Sequence, residues 1–140
     1  MSSTRRLTLS SSRGLGIAYV LTGAYDQAIA EFQRATDSGN PEIEANLAHA
    51  YAVSRRAAEA GKILDQLLAR STSSYVSPFD IAIVYAGLGD RDQAFAWLEK
   101  AFDERTRTML SLKVNARLDP LRSDPRFASL MRRVRVFNAK

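Results

Sequence analysis

A single histidine, His49, and the absence of cysteine set the outer bound on the chemistry this 140-residue chain could carry. A general base needs a nucleophile or an acid held beside it in a concave site. Without cysteine there is no thiolate nucleophile, no disulfide and no thiolate metal centre, and no serine stands in a Gly-x-Ser-x-Gly turn. Any metal would have to be held mostly by carboxylates. The acid pairs Asp90/Asp92 and Asp103/Glu104 fall at predicted helix ends, where acids complement the helix dipole or are simply solvated. Gly14-Leu15-Gly16 lacks the third glycine and the preceding strand of a dinucleotide fingerprint. The expectation is no catalytic residue, no metal and no cofactor, with His49 a groove or surface residue.

The other chemically able group is cationic. The net charge of +5 is unevenly spread: residues 1–104 hold 10 Lys/Arg against 13 Asp/Glu, and residues 105–140 hold 10 against 2. Arg122, Arg126, Arg132, Arg133 and Arg135 could hold a nucleic acid or an anionic surface. The simpler reading is a basic face that packs against the acidic remainder of its own chain, so nucleic acid stands second to a protein partner.

The elements that must position these residues are written three times. Leu15-Gly16-x-x-Tyr19, Leu47-Ala48-x-x-Tyr51 and Ile81-Ala82-x-x-Tyr85 each open an apolar segment, and Ala28, Ala60 and Ala94 each follow nine residues after the tyrosine. The openings lie 32 and 34 residues apart, a period that means stacked helical hairpins. Within each unit apolar residues recur at three- and four-residue steps, as in Ile29, Phe32 and Ala35, which gives each helix one buried face. Gly23 and Gly89 mark two of the hairpin turns. The middle turn, Ser54-Arg55-Arg56, has no glycine and is expected to turn less tightly. Ser77-Pro78, Asp119-Pro120 and Ser123-Asp124-Pro125 read as helix starts, a capping residue before proline at the first position, and Pro41 can start a helix after Gly39 closes the one before.

A composition of 46% hydrophobic and 25% charged residues is that of an ordinary globular domain. No apolar run is long enough to span a membrane, and the N-terminal twelve residues lack the apolar core of a signal peptide, so no membrane insertion and a cytoplasmic setting are expected.

Leu15, Gly16, Tyr19, Gly23, Ala28, Phe32 and Ala35, repeated as Ile81, Ala82, Tyr85, Gly89, Ala94, Leu98 and Ala101, resemble the tetratricopeptide repeat. The second unit departs at Arg55 and Leu67. The resemblance implies an all-α right-handed superhelix of three hairpins (9–40, 41–74, 75–104). A flexible lead (1–8) would precede them and a basic helical cap (105–140) would follow. Arg117-Leu118-Asp119-Pro120-Leu121-Arg122-Ser123-Asp124-Pro125-Arg126-Phe127 is similar to the close of such repeat regions in large bacterial regulators and signalling proteins. That likeness implies either a fragment or a free-standing relative. Leu121, Phe127, Leu130, Met131 and Val134 are expected to cover the last hairpin, with a further short helix over 109–114.

The resemblance also implies where a partner sits: the concave groove lined by the first helix of each hairpin. Its positions fall here on Arg13, Ile17, Val20, Asn46, His49, Phe79 and Ile83. Arg13 and Asn46 fit the subfamily that clamps a chaperone's terminal carboxylate, but Ile17, Val76 and Asp80 break that pattern. A mixed groove suits a peptide or protein with apolar anchors, unless the C-terminal segment fills the groove itself. The first unit has no leading cap, so pairing of two copies through the N-terminal end is a further expectation. Trp97, on a second helix beside Leu98, reads as a packing residue between repeats.

Overall fold

Helices joined by turns and short connections, with no strand, make up the described residues of the computed structural model, which are 14–36, 39–104, 112 and 115–139, with side chains described as far as residue 135. The predicted lead, Arg13 and all but Leu112 of the predicted helix over 109–114 lie outside them.

Three hairpins follow one another. They are α1 (14–22) with α2 (Tyr25–Ala35), α3 (Pro41–Val53) with α4 (Ala57–Arg70), and α5 (Pro78–Leu88) with α6 (Arg91–Asp103). A 3-10 helix (Ala116–Leu121) and α7 (Pro125–Ala139) complete the chain. The hairpins stack as a helical-repeat superhelix, with α3 between α2 and α5. Ala28, Ala60 and Ala94 are all fully buried where the two helices of a hairpin meet. Gly16 plays the matching part on α1. A methyl group there would lie 2.9 Å from Phe32 Cδ1 and closer still to two other ring carbons, so only glycine lets α1 approach α2 this closely.

The turns correct one expectation. In each hairpin an N–H just past the first helix reaches back to the tyrosine carbonyl: Ala24 to Tyr19 at 2.8 Å, Arg56 to Tyr51 at 2.8 Å, Asp90 to Tyr85 at 3.0 Å. This is the closing bond of a Schellman-type cap, which requires a left-handed residue just before the donor. Gly23 (φ 84°) and Gly89 (φ 82°) supply it, and in the middle hairpin Arg55 does so at φ 68°. The middle turn is therefore as tight as the others. Stacking against two neighbours imposes the geometry, and Arg55 accepts a conformation costly for a side-chain-bearing residue. Arg55→Gly is expected to raise unfolding stability by about 0.5–1 kcal/mol, the relief of left-handed strain less the added freedom of glycine in the unfolded chain. Urea denaturation at constant m-value checks this.

Helix starts are mostly as read. Asn40 Oδ1 accepts the Glu42 N–H at 2.9 Å, Asp90 Oδ1 that of Gln93 at 3.2 Å, and Asp124 Oδ1 that of Arg126 at 3.0 Å. Ser77 sits at the N-cap of α5 in extended conformation, but its hydroxyl makes no capping bond. The start expected at Asp119-Pro120 is not there. The 3-10 helix begins earlier, after Asn115, whose Oδ1 accepts the Arg117 N–H at 3.0 Å, and Pro120 lies inside the helix. Asn115 supplies the capping oxygen first, and in so short a helix the N–H missing from proline forfeits little.

The core divides by repeat. Phe32, Ile29 and Tyr51 join the first and second hairpins; Leu64, Leu67, Ile81 and Val84 join the second and third. A third cluster sets Phe79, Ile83 and Leu98 against Leu118, Leu121, Phe127 and Leu130. The last hairpin is thereby covered from both sides: α7 lies on α6, and the 3-10 helix lies on α5. Trp97 packs against two of these clusters, with the Lys100 ammonium 4.9 Å from its ring centre.

Candidate functional site

Successive first helices lie side by side, and of the residues expected to line the groove Ile17 and Val20 are on α1, Asn46 and His49 on α3, and Phe79 and Ile83 on α5, while Arg13 lies outside the described residues. The C-terminal segment lies on this face too. Arg117 Nη1 donates to Asn46 Oδ1 at 2.6 Å, and Leu118 and Leu121 are fully buried against Phe79 and Ile83. Phe79 is 2% exposed and Ile83 1%, so the 3-10 helix occupies the α5 end of the face. Asn46, His49 and Val20 are also buried, while Ile17 is half-buried. The accessible groove is thus shortened to its α1–α3 end.

There a cavity of about 260 Å³ remains. Val20 and Leu21 of α1, with Tyr25 at the start of α2, line one side; His49 and Val53 of α3 and Ala86 and Gly87 of α5 line another. Ala116, Arg117, Asp119 and Pro120 of the C-terminal segment close the third. Gly87 is needed for this arrangement: a methyl group on it would lie 2.9 Å from His49 Cδ2 and 3.2 Å from Ala52 Cβ. Leu21 lines the cavity yet is 55% exposed, and Leu15 on the same helix is 45% exposed. Of the two, Leu21 alone borders the cavity.

The polar groups of the site are few. His49 is 3% exposed and hydrogen-bonds no described residue. Burial, reinforced by the Arg117 guanidinium, pushes its imidazole down to about 3, so it is neutral at physiological pH. Asn46 Nδ2 is buried without a hydrogen-bond partner, its Oδ1 alone being engaged. Asp119 at the rim pairs with Arg122 at 2.6 Å. No group of three or more His, Asp or Glu that could hold a metal occurs among the described residues.

Three arginines of the C-terminal segment are paired with acids of their own chain while staying exposed or half-buried. Arg126 stacks 4.5 Å from the Phe95 ring centre and binds Asp92 and Asp124, each at 2.9 Å. Its side chain holds the Asp124 carboxyl down to about 2. Arg133 pairs with Glu99 and stacks on Phe102, and Arg122 stacks on Phe127. Each joins a cation to both an acid and an aromatic face. Arg126 and Arg133 reach from α7 to α6. Arg132 and Arg135 remain exposed on α7. Sequence reasoning missed Leu21, Tyr25, Val53 and Gly87. The sequence sets Leu21 on one apolar stripe with Leu15, Ile17 and Val20, but Leu15 and Leu21 are both exposed.

Residues 19–77 match the family model of the tetratricopeptide repeat. No curated protein and no solved structure matches the chain. Among the described residues no helix is long and apolar enough to cross a membrane.

Proposed function

From the premise that residues 19–77 carry tetratricopeptide repeats, a motif generally built for protein interaction, we propose that the chain is a non-catalytic module. On this reading it holds a peptide or protein partner on the face of α1, α3 and α5, within a regulatory or signalling assembly. The observation that carries the reading is the open cavity at the α1–α3 end of that face, bordered by the exposed Leu21. Of the groove residues Val20 and His49 line it, and Ile17, half-buried on the same helix as Val20, would extend the surface. Asn46, Phe79 and Ile83 would support the groove from beneath the C-terminal segment.

Anion binding through the C-terminal arginines is less well supported, because Arg122, Arg126 and Arg133 are engaged by acids of the same chain. Panning the full chain against a displayed random-peptide library separates the two readings. Peptides selected on the wild type are expected to lose at least ten-fold in affinity for Ile17→Glu and to bind Arg132→Glu/Arg135→Glu unchanged, since a charge opposite an apolar anchor is left desolvated and unpaired. Retention by a folded Ile17→Glu chain, with loss in the arginine variant, would reverse the assignment.

A further inference from the structure

Resting on that reading, the structure assigns a chemistry to the anchor. We propose that the cavity between α1, α3 and the C-terminal segment takes one neutral aliphatic side chain of leucine size, together with a flanking peptide group that hydrogen-bonds His49. Three observations converge on this occupant.

The first is size. At about 260 Å³ the cavity exceeds the roughly 150 Å³ that holds a benzene molecule, and falls short of the roughly 300–1,000 Å³ of sites for whole drug-sized ligands. It fits a side chain and the backbone beside it, not a cofactor. The second is charge. The wall holds one cation, Arg117, hydrogen-bonded to the Asn46 amide, and one anion, Asp119, paired with Arg122. A cationic side chain would meet the Arg117 guanidinium, and an anionic one would give up water for a wall that also carries Val20, Val53, Ala86, Ala116 and Pro120, which is costly. The third is the polar group left over. His49 is buried, lines the cavity and hydrogen-bonds no described residue. A neutral imidazole presents one donor and one acceptor, which match the N–H and C=O of a peptide unit. Leu21, exposed at the rim, extends the apolar wall outward, so a chain whose side chain entered the cavity would cover it.

The C-terminal segment makes this selectivity a property of the folded whole. Pro120 and Ala116 form the wall opposite α1, and the same segment denies the partner the Phe79–Ile83 end of the face. The anchor is thus a single side chain rather than a row of them.

The test uses the full chain, isotope-labelled, titrated with N-acetyl-leucine methylamide, with the glycine and glutamate analogues as controls. Expected are saturable shifts of the Val20, Tyr25, Val53 and Gly87 amides and of the His49 ring. The glycine and glutamate probes should bind at least ten times more weakly, because burial of a leucine side chain is lost or replaced by a charge. Leu21→Ala, a change at an exposed position, should weaken the leucine probe several-fold. Equal shifts with glycine, shifts centred elsewhere, or no saturation would overturn the proposal. So would concentration-dependent changes at the same residues without probe, which would mean that a second copy fills the site. If display-selected peptides still depend on Ile17 while the leucine probe fails, only the anchor chemistry is wrong. If both fail, the face is not a binding surface.

Discussion

Acidification from pH 8 to pH 5 is expected to remove about 2 kcal/mol of unfolding stability through His49 alone, at about 1.4 kcal/mol per pH unit once the unfolded-state histidine is protonated. The sign follows from the direction of the shift. In the folded chain the imidazole is held down from its ordinary 6.5 to about 3, by burial first and the Arg117 guanidinium second. The unfolded chain therefore takes up a proton in the interval where the folded chain does not. Stability is complete above pH 6.5 and falls steadily toward pH 3. The loss has a visible cause: a cation would be buried against the Gly87 backbone, under the field of the Arg117 guanidinium. Urea unfolding at pH 8, 6.5, 5.5 and 5 measures the slope. His49→Gln, which removes the titrating group, should flatten the curve over that range. An unchanged slope in the variant would show that His49 is not the group responsible. Asp124 is held low by Arg126 and adds the same sign of dependence, but only well below this window.

Leu118→Ala is expected to cost about 2–5 kcal/mol, the range for truncating a fully buried leucine where the surroundings relax only partly. Leu118 is fully buried, and it enters the same cluster as Phe79, Ile83 and Leu121. A segment merely resting on the groove would lose far less, so thermal or urea unfolding of this single variant measures how firmly the 3-10 helix is built into the core. Leu121→Ala should cost a similar amount, and the double variant less than the sum, because the two side chains share neighbours. A cost below about 1 kcal/mol for both would mean that the segment is only loosely seated.

The repeat was legible because its fixed positions are dictated by contact distance. Gly16, Ala28, Ala60 and Ala94 are small because two helices meet there, and that requirement recurs in every unit. The middle turn was misjudged for the same reason in reverse. Glycine marks a left-handed residue, but Arg55 shows that stacking on both sides can hold a side-chain-bearing residue in that conformation. The groove-lining positions were nameable from the repeat, yet their accessibility was not. Whether Phe79 meets water or Leu118 depends on a segment outside the repeats, whose route leaves no periodic trace. The pairing of Arg126 and Arg133 with α6 was hinted at by charge asymmetry alone, while the specific acids, Asp92 and Glu99, follow only from how α7 is laid down.

The Arg117–Asn46 bond joins residues 71 positions apart. An array of hairpins that touch only their neighbours is close to one-dimensional, and can lose its ends one unit at a time. Here the C-terminal segment lies on α5 and reaches back to α3, so the second and third hairpins are closed into a loop. Fraying from the C-terminal end must open both at once, which makes that half of the molecule a single cooperative unit. The first hairpin meets the second through α2 and α3 and through the cluster of Val20, Phe32, Leu47 and Tyr51, and no bond of the Arg117–Asn46 kind ties it to the C-terminal segment among the described residues. It is therefore the part able to open by itself, and anything that seated between α1 and α3 would tighten the fold there.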